Sequence, residues 1–274
     1  MGAMGAMGAM GKQGLPGIGG SAIPDCPEDY TQDMTVMGMI LCKKGNDEIV
    51  KVGKGRSSFW IDRYEASVWS DEAGAVTQYG ANMDDYPATF PDNGQYATAV
   101  YAVSKSGVKP SAYLTWFQAH AACAASGKRL PTRNEWLEAV RGTVDPGASN
   151  GAGGVCVTQA PDPRMTGLAT QCKSRWGVED MIGNVWEWTD EWASGVGTGA
   201  FFNTPWPAGF GGDVTYNIAS RAYTGSGFPS GIPAAALRGG GPGDGTGSGI
   251  FALTFNSAPI DAEFYFGFRC VVPR

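Results

Sequence analysis

The sequence predicts an α+β domain, rich in loops, with two main helices set among short strands. Three observations lead there. Hydrophobic residues make up 43% of the chain but charged residues only 17%, and 42 Gly with 17 Pro punctuate it too often for a helical bundle. Two stretches, Ser111–Ser126 and Thr132–Gly142, carry helical spacing of apolar residues with start and stop signals. The segment Gly183-Asn184-Val185-Trp186-Glu187-Trp188 fixes two Trp around one Glu. As a strand it places Trp186 and Trp188 on one face and Val185 and Glu187 on the other.

The elements follow in order. Residues 1–22 repeat Gly at every third position from Gly2 to Gly17, the period of a collagen triple helix. So short a run with a single Pro reads as a flexible tail, in part a cloning scar, with the end of a fibrous stalk as the alternative. Residues 23–274 are then one domain. Between Cys26 and Cys42 the apolar run Met34–Leu41 reads as a strand, and Phe59–Ala66 as the next, with Asp62, Arg63 and Glu65 as a local ion-pair set. The polar, turn-rich residues 70–109 read as surface loops. Pro110 opens a helix over Ser111–Ser126 that Gly127 stops, with His120 a structural histidine inside it. Thr132 and Glu135 form a capping box for a short helix through Trp136, Leu137 and Val140 that ends at Gly142. Cys156 and Cys172 flank an irregular insert, residues 193–236 read as a long loop region over the core, and Gly267–Val272 as the final strand.

Composition removes several classes of function. The net charge of −6, with no cluster of Lys or Arg, offers no electrostatic footprint for nucleic acid. No apolar run is long enough to span a bilayer, and the N-terminus lacks the charged region and apolar core of a secretory signal. A single histidine, His120, rules out a multi-histidine metal site. Asp180 and Glu187, seven apart across a Gly-containing turn, are hard oxygen donors of the kind that suits calcium. The even count of six cysteines leaves the choice of pairing open.

Three segments, Lys128-Arg129-Leu130-Pro131-Thr132, Gly183-Asn184-Val185-Trp186-Glu187-Trp188 and Gly267-Phe268-Arg269-Cys270, together resemble the formylglycine-generating-enzyme/sulfatase-modifying family over about Ser58 to Val272. That resemblance implies a C-type lectin fold of the formylglycine-generating-enzyme type. It implies structural calcium (Ca2+) held by Asp180, the carbonyls of Gly183 and Val185, and Glu187. It also implies a disulfide between Cys123 and Cys270, leaving Cys26–Cys42 and Cys156–Cys172 as local loops in an oxidising setting. The family's oxidases use a cysteine pair shortly before the closing Gly-Phe-Arg-Cys, but no Cys lies between Cys172 and Cys270 here, so no catalytic residue is assigned.

What stands in that place resembles the variable region of diversity-generating-retroelement proteins, ligand binders on the same scaffold. Leu237-Arg238-Gly239-Gly240, Gly249-Ile250-Phe251-Ala252-Leu253, Ala258-Pro259 and Gly267-Phe268-Arg269-Cys270 match the constant parts of a hypervariable region over about 237–270. Between them, Gly241, Gly243, Asp244, Thr254, Asn256, Ser257, Asp261, Phe264 and Tyr265 are each reachable from an Asn codon by changing adenines alone; Glu263 is not. Phe266 is a further position of this kind, and small residues at Gly241, Gly243 and Gly247 would leave a shallow pocket. Phe251, Leu253 and Phe268 would face the core, with Phe264 and Tyr265 as aromatic anchors. The resemblance implies a non-catalytic, receptor-recognising protein of a virion fibre or cell surface. It would bind a protein or surface ligand of a target cell, with oligomerisation through the N-terminal tail. The alternatives are a sulfatase-modifying-type enzyme, oxidising cysteine to formylglycine, and a catalytically inactive structural relative.

Overall fold

The computed structural model describes residues 26–193, 203–205, 214–216 and 234–273. The Gly-repeat tail, with the oligomerisation expected of it, and most of residues 193–236 lie outside these. The first sheet opens with β1 (Thr31–Gln32), β2 (Leu41–Lys44), β3 (Asp47–Val52) and β4 (Phe59–Asp62), all antiparallel. The run Met34–Leu41 is not a strand. Only Leu41 enters β2, Gly38 sits at φ 86°, and Met34 and Met37 stand 79% and 93% exposed. The strand that β2 needs as partner is β3, whose aliphatic residues are interleaved with Asp47, Glu48 and Lys51.

The expected strand Phe59–Ala66 breaks at Arg63. β5 (Ala66–Trp69) instead joins a second sheet with β6 (Gln78–Tyr79) and β7 (Tyr101–Ser104), so residues 70–109 are not loop throughout. Buried Phe90 and Val100 show that this stretch also feeds the core. Helix α1 (Trp116–Ala125) starts later than Ser111, because Tyr113 holds φ 57° and Thr115 is the cap. The Thr115 hydroxyl accepts from the Gln118 amide at 3.1 Å, and Gln118 Oε1 accepts from the Thr115 amide at 3.0 Å. Helix α2 (Arg133–Ala139) has the anticipated box, with Glu135 Oε2 accepting from the Thr132 amide at 2.9 Å.

The third sheet contains β8 (Trp186–Ala193), β9 (Asn203–Pro205), β10 (Val214–Tyr216), β11 (Ala234–Arg238), β12 (Leu253–Ser257) and β13 (Phe266–Phe268), in the order β13-β8-β11-β12-β10-β9. β9 and β10 thus extend this sheet within what was expected to be a long loop. β13 runs parallel to β8, pairing Phe266 with Trp186 and Phe268 with Trp188. The last strand, β14 (Val271–Val272), returns to β4 in the first sheet. Gly267–Val272 is therefore two strands, with Arg269 and Cys270 crossing between sheets.

Alternation along β8 divides the core. Trp186 and Trp188 pack with Leu114, Leu130, Phe266 and Phe268, while Trp136 belongs to a second cluster with Leu41, Val50, Ile61 and Val271. The cysteines pair as Cys26–Cys42, Cys123–Cys270 and Cys156–Cys172, and the second of these spans 147 residues from α1 to the inter-sheet crossing.

Asp62, Arg63 and Glu65 are not a local ion-pair set. Each reaches far along the chain. Buried Lys128 donates to Asp62 Oδ1 at 2.7 Å and pairs with Asp47 at 2.6 Å, while Asp62 Oδ2 accepts from the Cys270 amide at 2.7 Å. Arg63 pairs with Glu48 and Glu179, both at 2.8 Å. Glu65 accepts from the Asn184 side-chain amide at 2.5 Å and the Val185 amide at 3.2 Å. Such groups are stable in the interior only when paired and hydrogen-bonded, so they bind the sheets to one another.

Candidate functional site

Two places gather the residues singled out in the sequence. The first is the turn leading into β8. Gly183 has φ +74°, and a Cβ there would lie 2.0 Å from the Val157 carbonyl oxygen, so only glycine lets these two backbones approach. Asp180 and Asn184, at φ 60° and 58°, flank the turn in the left-handed region that Asp and Asn tolerate best.

The calcium set expected here is not assembled. Glu187 Oε1 and Oε2 accept from Arg269 Nε at 2.9 and 2.8 Å, Arg269 Nη2 adds a bond of 2.6 Å, and Trp136 Nε1 donates to Oε2 at 2.7 Å. Both carboxylate oxygens therefore face a buried guanidinium. A cation would have to displace it, so these residues do not fit the ion. Asp180 Oδ2 accepts from the Gly167 amide at 2.7 Å. Among the described residues, no group of three or more His, Cys, Asp or Glu is placed to hold a metal.

Burial pushes Asp180 up to about 7, helped by the neighbouring acids Glu179 and Glu187 against the Gly167 hydrogen bond and Arg269. Burial likewise raises Glu65 well above the ordinary carboxylate range, with Asp180 and Glu187 adding to it. All six cysteines are in disulfides, which leaves no thiol for nucleophilic or metal-assisted oxidation. His120 lies on the exposed face of α1 and stacks on Trp116, ring centres 5.1 Å apart.

The second place is a cleft of about 200 Å³ in the C-terminal region, lined by Trp186, Asp244, Thr254, Asn256, Ser257, Tyr265 and Phe266. Strand β12 supplies one wall through its period of two. Leu253 and Phe255 pack with Ala234 and Ala236 on one face, which leaves Thr254 and Asn256 to the cleft. Trp186 and Phe266 reach it from the paired strands β8 and β13 while belonging to the main core. Asp244 is fixed by the turn it caps, its Oδ2 accepting from the Gly241 amide at 2.7 Å. Tyr265 packs edge-on against Phe264 and Phe266 at 4.8 and 4.9 Å. Burial, then the acids Glu263, Asp244 and Asp261, raises its phenol above the ordinary value.

Six of the eleven residues expected to bind ligand thus meet in one cleft. The others lie elsewhere. Asp261 caps the next turn, accepting from the Ala258 amide at 2.9 Å, and Phe264 is half-buried beside Tyr265. Gly243 is exposed with open space where a Cβ would be, whereas Gly241 and Gly247 are buried, and a Cβ on Gly241 would lie 3.0 Å from Trp186 Cδ1. The three glycines do not line the pocket expected of them. Phe266 is 5% exposed, a floor rather than a free surface position. Of the residues expected in the core, Phe268 is there, Leu253 sits in the small Ala234–Phe255 cluster, and Phe251 is half-buried. Trp186 is the one lining residue the sequence did not offer as a binding group. Its only signal was the Trp pair on β8, which reads as core.

Comparison with known proteins places this geometry. The profile of the sulfatase-modifying factor enzyme 1-like domain matches residues 31–273. Hercynine oxygenase of Mycolicibacterium thermoresistibile is 31% identical over 149 residues, 47% of this chain and 28% of that protein. Inactive C-alpha-formylglycine-generating enzyme 2 of Bos taurus is 31% identical over 105 residues, 29% of this chain and 32% of that protein. The matched stretches thus span about a third or less of these curated relatives. Among solved structures, the Major Tropism Determinant I1 variant superposes with a TM-score of 0.50 at 23% identity, over 89% of this chain and 55% of that one. The architecture is the α+β, C-type lectin fold of the formylglycine-generating type.

Proposed function

We propose, from the premise that this chain belongs to the sulfatase-modifying factor enzyme 1-like domain family, that it is a non-catalytic receptor-recognition protein. Its C-terminal surface, within residues 237–270, binds a protein or surface ligand of a target cell and is diversified by retroelement mutagenesis. A single domain over 23–274 carries that surface. The observation behind this reading is the division of labour inside the region. Segments matching the constant parts hold the fold: Leu237 and Phe268 in the core, Arg269 on Glu187, Cys270 on Cys123. Positions reachable from Asn codons line the cleft: Asp244, Thr254, Asn256, Ser257 and Tyr265. Loops and strand faces on a fixed scaffold are where recognition residues can change without unfolding it.

The family includes enzymes, and two of the matched relatives are named hercynine oxygenase. The non-catalytic assignment rests on this chain's own residues, whose cysteines are all spent in disulfides. Those disulfides suit an oxidising location such as a virion fibre or cell surface. The Major Tropism Determinant, which by its name governs tropism, shares the fold. Calcium is no part of the proposal. Deep sequencing of the gene and its flanking DNA in the source population tests it. Substitutions should concentrate between Gly241 and Phe266, at adenines of a neighbouring near-repeat beside a reverse-transcriptase gene. Sparse, uniform variation without a near-repeat would sink the reading.

A further inference from the structure

The cleft has a charge pattern as well as a shape. From Gly239 to Phe268 the sequence contains Asp244, Asp261 and Glu263, and no Lys, Arg or His. The cations at either end of this stretch, Arg238 and Arg269, are both buried, Arg269 held by Glu187 and Arg238 beside Glu191. Asp244 lines the cleft, and all three acids act on the ring of Tyr265, which lines it too. The remaining lining is aromatic or neutral: Trp186, Phe266, Thr254, Asn256 and Ser257. Aromatic faces attract a cation through the ring quadrupole, and a carboxylate beside them supplies the counter-charge.

Size narrows the occupant further. Small-molecule pockets run to roughly 300–1,000 Å³. At about 200 Å³ this cleft is suited instead to one side chain inserted from a larger surface. Beside it, half-buried Phe264, packed edge-on against Tyr265, offers apolar contact to whatever presents that side chain. A central anchor ringed by contacts that exclude water is the usual anatomy of a protein interface. We propose that the cleft accepts a lysine or arginine side chain presented by a protein partner. This rests on the binding function above and specifies its ligand.

The test uses the full chain, immobilised and selected against a phage-displayed library of random linear peptides. Enriched peptides should share a Lys or Arg at one position, and replacing that residue by Met should weaken binding at least about tenfold. Binding should also weaken as salt is raised. Asp244→Asn keeps an oxygen to accept from the Gly241 amide and should lose about tenfold for the same peptides. Glu263→Gln, at an exposed position, is the second variant should Asp244→Asn disturb the loop, and weaker binding is expected of it too. Enriched peptides without a common cation, or unchanged binding by both variants, would overturn this proposal and leave the binding function standing. A correctly folded chain that enriches no peptide would count against both.

Discussion

Glu187 joins the closing segment of the chain to helix α2. Its carboxylate holds Arg269 of the closing segment and Trp136 of α2, with every group buried. Removing one partner of such a pair leaves the other charged and unsolvated. Glu187→Ala should therefore cost roughly 3–5 kcal/mol in chemical denaturation, and the double change Glu187→Leu with Arg269→Met distinctly less. Asp180 makes a different prediction. With its folded value near 7 and an unfolded value in the ordinary carboxylate range, the folded chain keeps a proton that the unfolded chain has released. That contribution is fully present below the unfolded value and is lost as pH rises through about 7. Melting temperature should fall between about pH 4 and about pH 7 and level off above, and Asp180→Asn should flatten the fall. Asn also accepts the φ of 60° at this position. Because Glu187 is occupied by Arg269, chelation with EGTA should leave the melting temperature unchanged. A marked rise on adding calcium would return Glu187 and Asp180 to the role of ligands.

Among the elements, local signals were legible and distant ones were not. The Thr132–Glu135 box could be read because cap and partner are three residues apart, and Thr132→Ala should cost about 1 kcal/mol in the denaturation midpoint. The faces of β8 followed from its period of two, so Trp186 and Trp188 were placed correctly. The start of α1 was misplaced because Pro110 is a strong local signal, whereas the Thr115–Gln118 box lies five residues on. β3 went unseen because its partners β2 and β4 decide its fate, not its own mixed composition. The buried ion pairs were beyond reach for the same reason: Lys128 and Asp47 are 81 residues apart. At the cleft, codon logic reached Asp244, Thr254, Asn256, Ser257 and Tyr265, but also Gly241, Gly243, Asp261 and Phe264, which do not line it. It missed Trp186, which is core on one side and floor on the other.

Across the whole molecule, the region between Leu237 and Cys270 is tied down at both ends. Leu237 and Arg238 pair with β8, and Cys270 is joined to Cys123 on α1. Removing that bond in a Cys123→Ser, Cys270→Ser double variant should cost about 2–5 kcal/mol, and the loss should be the same whichever residues occupy the cleft. Between these ties β12 is paired on both flanks, antiparallel to β11 and parallel to β10. A strand held from two sides cannot slide: losing or gaining one residue would turn Leu253 and Phe255 outward and drive Thr254 and Asn256 into the interior. This architecture forgives a change of letter and punishes a change of length. Any mechanism that generates variety here must work by exchange in place, and a repertoire built on this scaffold should hold thousands of spellings of a word with a fixed number of characters.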